Sequence, residues 1–286
     1  MMKTNERFDG QANHSVSKKV HLKKALGQYI LKDRSFIERI VSAVPQGKLI
    51  VEIGPGAGAL TEELLNRGHR LKAVELDLEM VSKLKQMFNH RRDFRLITGN
   101  ILKVNWDEIT KDNADDIVVV GNLPYHLASQ ILFNIFKLVR RNHVNITEMV
   151  VMLQREVGQR LTAEPGSRNA GSLALLTRYH GTPEYLFTVP AASFHPVPRV
   201  DGAVIRMTFH QPHEMPGVDY EAFRRVVRGC FAQRRKMMRN ALGVIGNLPD
   251  GWQNLAYDFK LRPEQFNLME FVNLTRDLLE LQEEKH

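Results

Sequence analysis

The chain has 286 residues, 43% of them hydrophobic, enough for one large α/β domain with an appendage or for two domains. Forty Lys and Arg against 32 Asp and Glu give a formal charge of +8, which favours polyanions over acidic small molecules because a basic side chain on a phosphate releases counterions. The single cysteine, Cys230, excludes an intrachain disulfide and a cysteine-based zinc site.

Residues 1–17 show no hydrophobic period and are expected to form a disordered arm. Between Lys3 and Arg34 eight basic residues face three acids, so this stretch is either a solvated tail or a phosphate-contacting arm, with Lys23 and Lys24 as its candidate RNA contacts. Asp33 is placed to cap a helix through Phe36, Ile37, Ile40, Val41 and Val44 that Pro45 stops. Residues 48–53 read as a buried strand running into Gly54-Pro55-Gly56-Ala57-Gly58-Ala59, with a helix through Leu60, Leu64 and Leu65 behind it. Strand, glycine turn and helix in that order let backbone approach a ligand closely at a helix N-terminus. A second strand, 71–75, ends on Glu75, where a carboxylate can accept ribose hydroxyls. Asp77 starts a further helix, 94–97 is a third strand leading to Gly99-Asn100, and 117–120 and 149–153 are the fourth and fifth. This alternation predicts a doubly wound parallel sheet.

Beyond Gln154 the texture changes. Residues 154–161 look helical, 173–179 form an apolar segment, and 185–189 and 203–209 read as strands separated by Phe194-His195-Pro196-Val197-Pro198-Arg199-Val200, a stiff and partly extended linker. Residues 211–217 are the best domain boundary, and every periodic segment after them is helical. Between Asp219 and Leu242 seven basic residues (Arg224, Arg225, Arg228, Arg234, Arg235, Lys236 and Arg239) face two acids. Such a one-sided field points to a polyanion footprint, against the plainer reading of a solvated helical face.

The glycine turn with Glu75 suits a nicotinamide dinucleotide, S-adenosylmethionine or a purely structural turn. Asn122-Leu123-Pro124-Tyr125, where the fourth strand opens toward a helix, decides among these. A nucleobase amine is a poor nucleophile because its lone pair is delocalised into the ring. The Asn122 amide oxygen and the carbonyl of Leu123 or Pro124 are placed to accept its two N–H groups, while Tyr125 stacks on the splayed base. That arrangement needs neither metal nor strong base, and hydride transfer has no use for it.

On these residues the chain resembles the rRNA adenine N6,N6-dimethyltransferase family, most of all its bacterial small-subunit (16S rRNA, KsgA-type) branch. The matching stretches are Leu26-Gly27-Gln28-Tyr29-Ile30-Leu31, Val51 to Thr61 around the glycine turn, Ala73-Val74-Glu75-Leu76-Asp77, Asn122 to Tyr125, Gln154-Arg155-Glu156-Val157, Pro165-Gly166-Ser167, and Phe194 to Asp201. The resemblance implies that Tyr29 and Leu31 cover the cofactor S-adenosyl-L-methionine and that Gly54, with Gly56 in the same turn, lies against its methionine end. It also implies that Glu75 holds the ribose, Asn100 faces the adenine, and Asn122 borders both cofactor and target amine. The implied reaction is dimethylation of two adjacent adenosines near the 3′ end of small-subunit rRNA in a partly assembled 30S particle.

The chain departs from the family pattern in three places. Tyr29 stands for the usual Asn or His and Ile30 for Phe, which points to an altered cofactor lid. Asn100 stands for a common Asp; its amide oxygen can still accept an adenine N6 hydrogen, but without charge assistance, which predicts weaker cofactor binding. His126 follows Tyr125 where Asn is frequent and is read as a loop residue. The expected architecture is thus a Rossmann-like S-adenosylmethionine-dependent methyltransferase domain at 18–210 and an all-helical RNA-binding domain at 211–286. A cytoplasmic monomer without membrane contact is expected, because no run approaches about 18 apolar residues. The rival readings are a large-subunit rRNA methyltransferase conferring antibiotic resistance, and a non-catalytic ribosome-assembly factor that keeps the fold.

Overall fold

The computed structural model describes residues 29–110, 116–142, 144–167, 169–246 and 248–284. The amino-terminal arm, with Lys23 and Lys24, lies outside the described residues.

The chain enters through a two-residue strand, β1 (Ile30–Leu31), and helix α1 (Arg34–Ser42), whose N-cap Asp33 accepts from the Ser35 N–H. Alternation then sets in, with β2 (Leu49–Ile53), α2 (Ala59–Asn66), β3 (Arg70–Glu75), α3 (Leu78–Phe88), β4 (Phe94–Thr98), α4 (Trp106–Thr110), β5 (Ile117–Asn122), α5 (Ala128–Arg140) and β6 (Ile146–Gln154). The first five strands of the main sheet, β2 to β6, pair in parallel in the order β4-β3-β2-β5-β6. Their sequences are near-continuous apolar runs because helices cover both faces. Successive residues of one strand feed opposite cores: Val51, Val119 and Val151 pack on one face, while Ile50, Val118 and Val150 pack on the other.

After β6 come α6 (Arg155–Leu161), α7 (Ser172–Arg178), β7 (Gly181–Val189), β8 (Phe194–His195) and β9 (Gly202–Phe209). The main sheet is therefore not wholly parallel: β9 runs antiparallel to β6, and β7 antiparallel to β9 at the edge. The expected strand 185–189 begins earlier, at Gly181, and carries Pro183 inside it. Proline removes a ladder donor, which an edge strand tolerates. Three of the strands and helices were not expected. One is α4; the others are β1 and β8, the latter inside the proline-rich linker, and these two pair antiparallel with each other (Ile30 opposite His195, Leu31 opposite Phe194).

The carboxy-terminal helices are α8 (Tyr220–Ala232), α9 (Met238–Gly243) and α10 (Leu268–Glu283). Asp219 caps α8, and an Asn267–Glu270 capping box opens α10. Phe223, Val227, Phe271 and Leu274 form the core of this bundle, and Leu175, Leu176 and Tyr179 at α7 belong to the same cluster. The Tyr179 hydroxyl donates to the Val218 carbonyl at 2.9 Å, fastening the chain just before α8. Among the described residues no helix is long and apolar enough to cross a membrane.

Candidate active site

A cleft opens at the carboxyl ends of β2, β3, β4 and β5 and under β1. Open α/β sheets bind ligands there because the strand ends and the following helix N-termini converge. Tyr29, Leu31, Gly54, Gly56, Glu75, Asn100, Asn122, Leu123, Pro124 and Tyr125 all line this one cleft.

The floor is the turn after β2. Gly54 and Gly56 have φ of +65° and +55°, and a Cβ built on either would meet nothing within 4 Å. They are glycine for backbone conformation, and the space above them is open to a ligand. Gly58, at φ +87°, has a different task, since a Cβ there would lie 3.0 Å from the Phe88 ring; its absence lets α2 pack on α3.

Glu75 ends β3 and is 6% exposed. One carboxylate oxygen accepts the Gly56 N–H at 3.0 Å, and the other accepts the N–H groups of Leu76 and Asp77, each at 2.8 Å. Three backbone donors lock the carboxylate in place, and the oxygen that accepts only the Gly56 N–H retains the clearest acceptor capacity for a hydroxyl. Leu76, Met80 and Ile101 give the cleft an apolar wall beside it. These features suit a nucleoside cofactor: a glycine cradle, an oriented carboxylate and an apolar slot for a base.

The strand β5 delivers the amide. At Gly121 a Cβ would sit 2.6 Å from the Ile53 carbonyl oxygen, so only glycine lets β5 lie this close to β2. The Asn122 amide nitrogen then donates to the Tyr29 carbonyl at 2.9 Å. That carbonyl can only be met by a donor, so the amide is fixed with its oxygen as the group left for a ligand. Leu123 is buried and its N–H donates to the Met152 carbonyl at 2.9 Å. The Pro124 carbonyl accepts the Leu127 N–H at 2.9 Å, which commits it to the turn opening α5 and leaves Leu123 as the carbonyl beside the amide.

The Tyr125 ring lies 5.5 Å from the Tyr29 ring at 31°. Burial, with smaller contributions from Tyr29 and Asp201, pushes its phenol up to about 12, so it stays protonated at neutral pH. Among the described residues its buried hydroxyl has no hydrogen-bond partner. His126 is exposed on the cleft rim.

The roof is tied down from the far end of the chain. Besides the β1–β8 pairing, the Lys32 N–H donates to the Ser193 carbonyl at 2.9 Å, and the Ser193 hydroxyl reaches Asp33 at 3.4 Å. Asp201 accepts from the Ala191 N–H at 3.1 Å and from the Arg155 guanidinium at 2.6 Å. The sequence reading assigns none of these bonds, although Arg155, Phe194 and Asp201 stand in stretches it singles out.

The basic residues Arg224, Arg225, Arg228, Arg234, Arg235, Lys236 and Arg239 lie on α8, α9 and the turn between them, away from the cleft lining. Arg225, Arg228, Arg235, Lys236 and Arg239 are exposed. Arg224 donates to Glu221 at 2.8 Å, and Arg234 stands 3.7 Å from Glu264.

Glu52, on β2 beneath the glycine turn, also lines the cleft, and sequence reasoning missed it as a site residue. It is 1% exposed and accepts the Thr61 hydroxyl at 2.7 Å. Burial pushes its carboxyl up to about 7 against the lowering effect of that hydrogen bond, with the nearby Glu75 adding to the rise. Its only sequence signal is an acid inside an otherwise apolar strand.

A sequence profile of the family described as Ribosomal RNA adenine dimethylase matches residues 19–253. A protein of Pseudomonas aeruginosa named Ribosomal RNA small subunit methyltransferase A is 38% identical over 262 residues, 91% of this chain and 95% of its own length. Among solved structures, a dimethyladenosine transferase from Plasmodium falciparum superposes with a TM-score of 0.73 at 19% identity, over 88% of this chain and 98% of its own. The 23S rRNA methyltransferase ErmE gives 0.61 at 22% identity, over 87% and 99%. At those identities the structural likeness speaks for the fold.

The raised pKa of Glu52 has a consequence for stability. A carboxyl that holds its proton more tightly folded than unfolded makes stability fall as pH rises from its ordinary 4.5 to about 7, and the loss is complete above that. The Glu52→Gln variant, unfolded by urea without ligand, is expected to exceed the parent by up to about 3 kcal/mol at pH 8. The advantage should shrink toward zero near pH 4.5.

Proposed function

Because the chain belongs to the ribosomal RNA adenine dimethylase family, we propose that its cleft dimethylates N6 of two adjacent adenosines near the 3′ end of small-subunit rRNA. The observation that carries this reading is the fixed Asn122 amide, whose oxygen is left to the cleft beside an aromatic ring. The protein is an rRNA adenine dimethyltransferase that depends on S-adenosylmethionine. The small subunit is favoured over the large one by the 38% identity to a small-subunit enzyme across nearly the whole chain.

The cofactor, when bound, supplies a methyl group activated by a sulfonium. Glu75 takes the ribose hydroxyls, Asn100 and the wall of Leu76, Met80 and Ile101 take the base, and Gly54, Gly56, Tyr29 and Leu31 enclose the methionyl end. On the target side, Asn122 Oδ1 and the Leu123 carbonyl accept the two N–H groups of the adenine amine. Holding both hydrogens draws the nitrogen lone pair out of conjugation and aims it into the cleft. Pro124 stiffens the clamp, and the Tyr125 ring stacks on the splayed base, a contact worth about 1–3 kcal/mol. With its pKa pushed up to about 12, Tyr125 acts by stacking and not as a base. The proton released on methylation leaves to water.

The basic residues of α8, α9 and their connecting turn, with Lys23 and Lys24 of the arm, contact rRNA phosphates around the site. The substrate is the immature 30S particle, and the protein acts as a monomer in the cytoplasm.

Purified protein with isotope-labelled S-adenosylmethionine should transfer methyl groups to small subunits from cells lacking this modification, and mapping should find them as N6,N6-dimethyladenosine. Label appearing only in large subunits, or none in either, would contradict the reading. For the footprint, replacing Arg228, Arg235 and Arg239 with Gln should weaken subunit binding and reduce the slope of log affinity against log salt by about 2. An unchanged slope would remove these helices from the interface.

A further inference from the structure

Among the described residues two asparagines line the cleft, and backbone groups fix each amide in the opposite sense. Asn122 spends its nitrogen on the Tyr29 carbonyl and presents oxygen. Asn100 is the reverse: its Oδ1 accepts the Leu102 N–H at 2.9 Å, closing the turn that follows β4. Rotating the Asn100 amide by half a turn would set its NH2 group against that N–H, donor against donor, and leave the Leu102 N–H unmet. The polar atom of Asn100 not engaged by that bond is therefore Nδ2, which only donates, while Oδ1 keeps one lone pair beside the Leu102 N–H.

Sheet order says which part of a nucleoside meets it. Glu75 ends β3 and Asn122 ends β5, on either side of β2. A nucleoside with its ribose on Glu75 and its reactive end toward Asn122 must lay its base past β3, at the end of β4, where Asn100 stands two residues after Thr98. The 6-position of adenine carries an amino group whose in-plane hydrogens are donors, so Nδ2 gives it no complementary partner. A carboxylate there would bond the Leu102 N–H with one oxygen and the adenine amine with the other.

We propose that Asn100 makes this cofactor pocket permissive at the purine 6-position, so that it takes a 6-oxopurine (inosyl) nucleoside at least as readily as the adenosyl one. The keto oxygen of hypoxanthine accepts where the adenine amine donates. This rests on the S-adenosylmethionine reading of the cleft.

Calorimetric titration of the full chain with S-adenosyl-L-homocysteine and with S-inosyl-L-homocysteine tests it without turnover. The parent protein should bind the two within about threefold, and Asn100→Asp should shift their ratio at least about tenfold toward the adenosyl ligand, one hydrogen bond's worth. A smaller shift, or a parent preferring the adenosyl ligand by more than about threefold, overturns the inference while leaving the cofactor reading intact. Failure of the parent to bind either ligand overturns both. Should Asn100→Asp not fold, Asn100→Ala removes the amide donor; it should lose inosyl affinity selectively, and equal losses for both ligands would count against the inference.

Discussion

The hydrogen bond from the Asn122 amide to the Tyr29 carbonyl is the contact on which the rest of the site depends. It spans 93 residues of sequence and joins the end of a central strand to the segment that roofs the cleft. Without it the Asn122 amide is free to rotate, and a donor could face the target amine where an acceptor is needed. With it, the roof and the clamp are one unit, and Tyr29 contributes both a carbonyl to the amide and a ring beside Tyr125.

The fold serves to hold Tyr29 at that distance. β1 is too short to fix its own position, so the β8 pairing, the Ser193 bonds and the Asp201–Arg155 ion pair hold it from the other side of the chain. The partners of that pair are 51% and 31% exposed, so its electrostatic energy is modest; its value is in placing the loop that carries β8. On the other side, Gly121 lets β5 approach β2 within backbone contact. The amide is thus placed by two constraints, one from strand packing and one from a roof assembled late in the sequence.

Much of this was legible in the sequence because it is local. The glycine turn between a strand and a helix, the acid at the end of the next strand and the strand opening into Asn-Leu-Pro-Tyr are all read within windows of a dozen residues. β7 was read short because Pro183 breaks a strand pattern unless the strand is known to lie at an edge. β8 hid among prolines because a two-residue strand has no period of its own and exists only by pairing with β1. Glu52 looked like an interruption of an apolar strand, and its raised pKa comes from burial that tertiary packing creates. The direction of the Asn100 amide was invisible for a similar reason: it depends on which backbone group the oxygen meets, and sequence reasoning had that oxygen turned to the cofactor.

The central claim is that Asn122 works by presenting an acceptor while its nitrogen is held by Tyr29. The substitution Asn122→Asp isolates it, since a carboxylate keeps the size and the acceptor but cannot donate to the Tyr29 carbonyl. Single-turnover methyl transfer to undermethylated small subunits, measured beside S-adenosyl-L-homocysteine affinity, is the direct test. The account predicts a loss of at least about a hundredfold in transfer rate at saturating S-adenosylmethionine, well beyond any loss of cofactor affinity from the loosened roof. Transfer at the parental rate would contradict it.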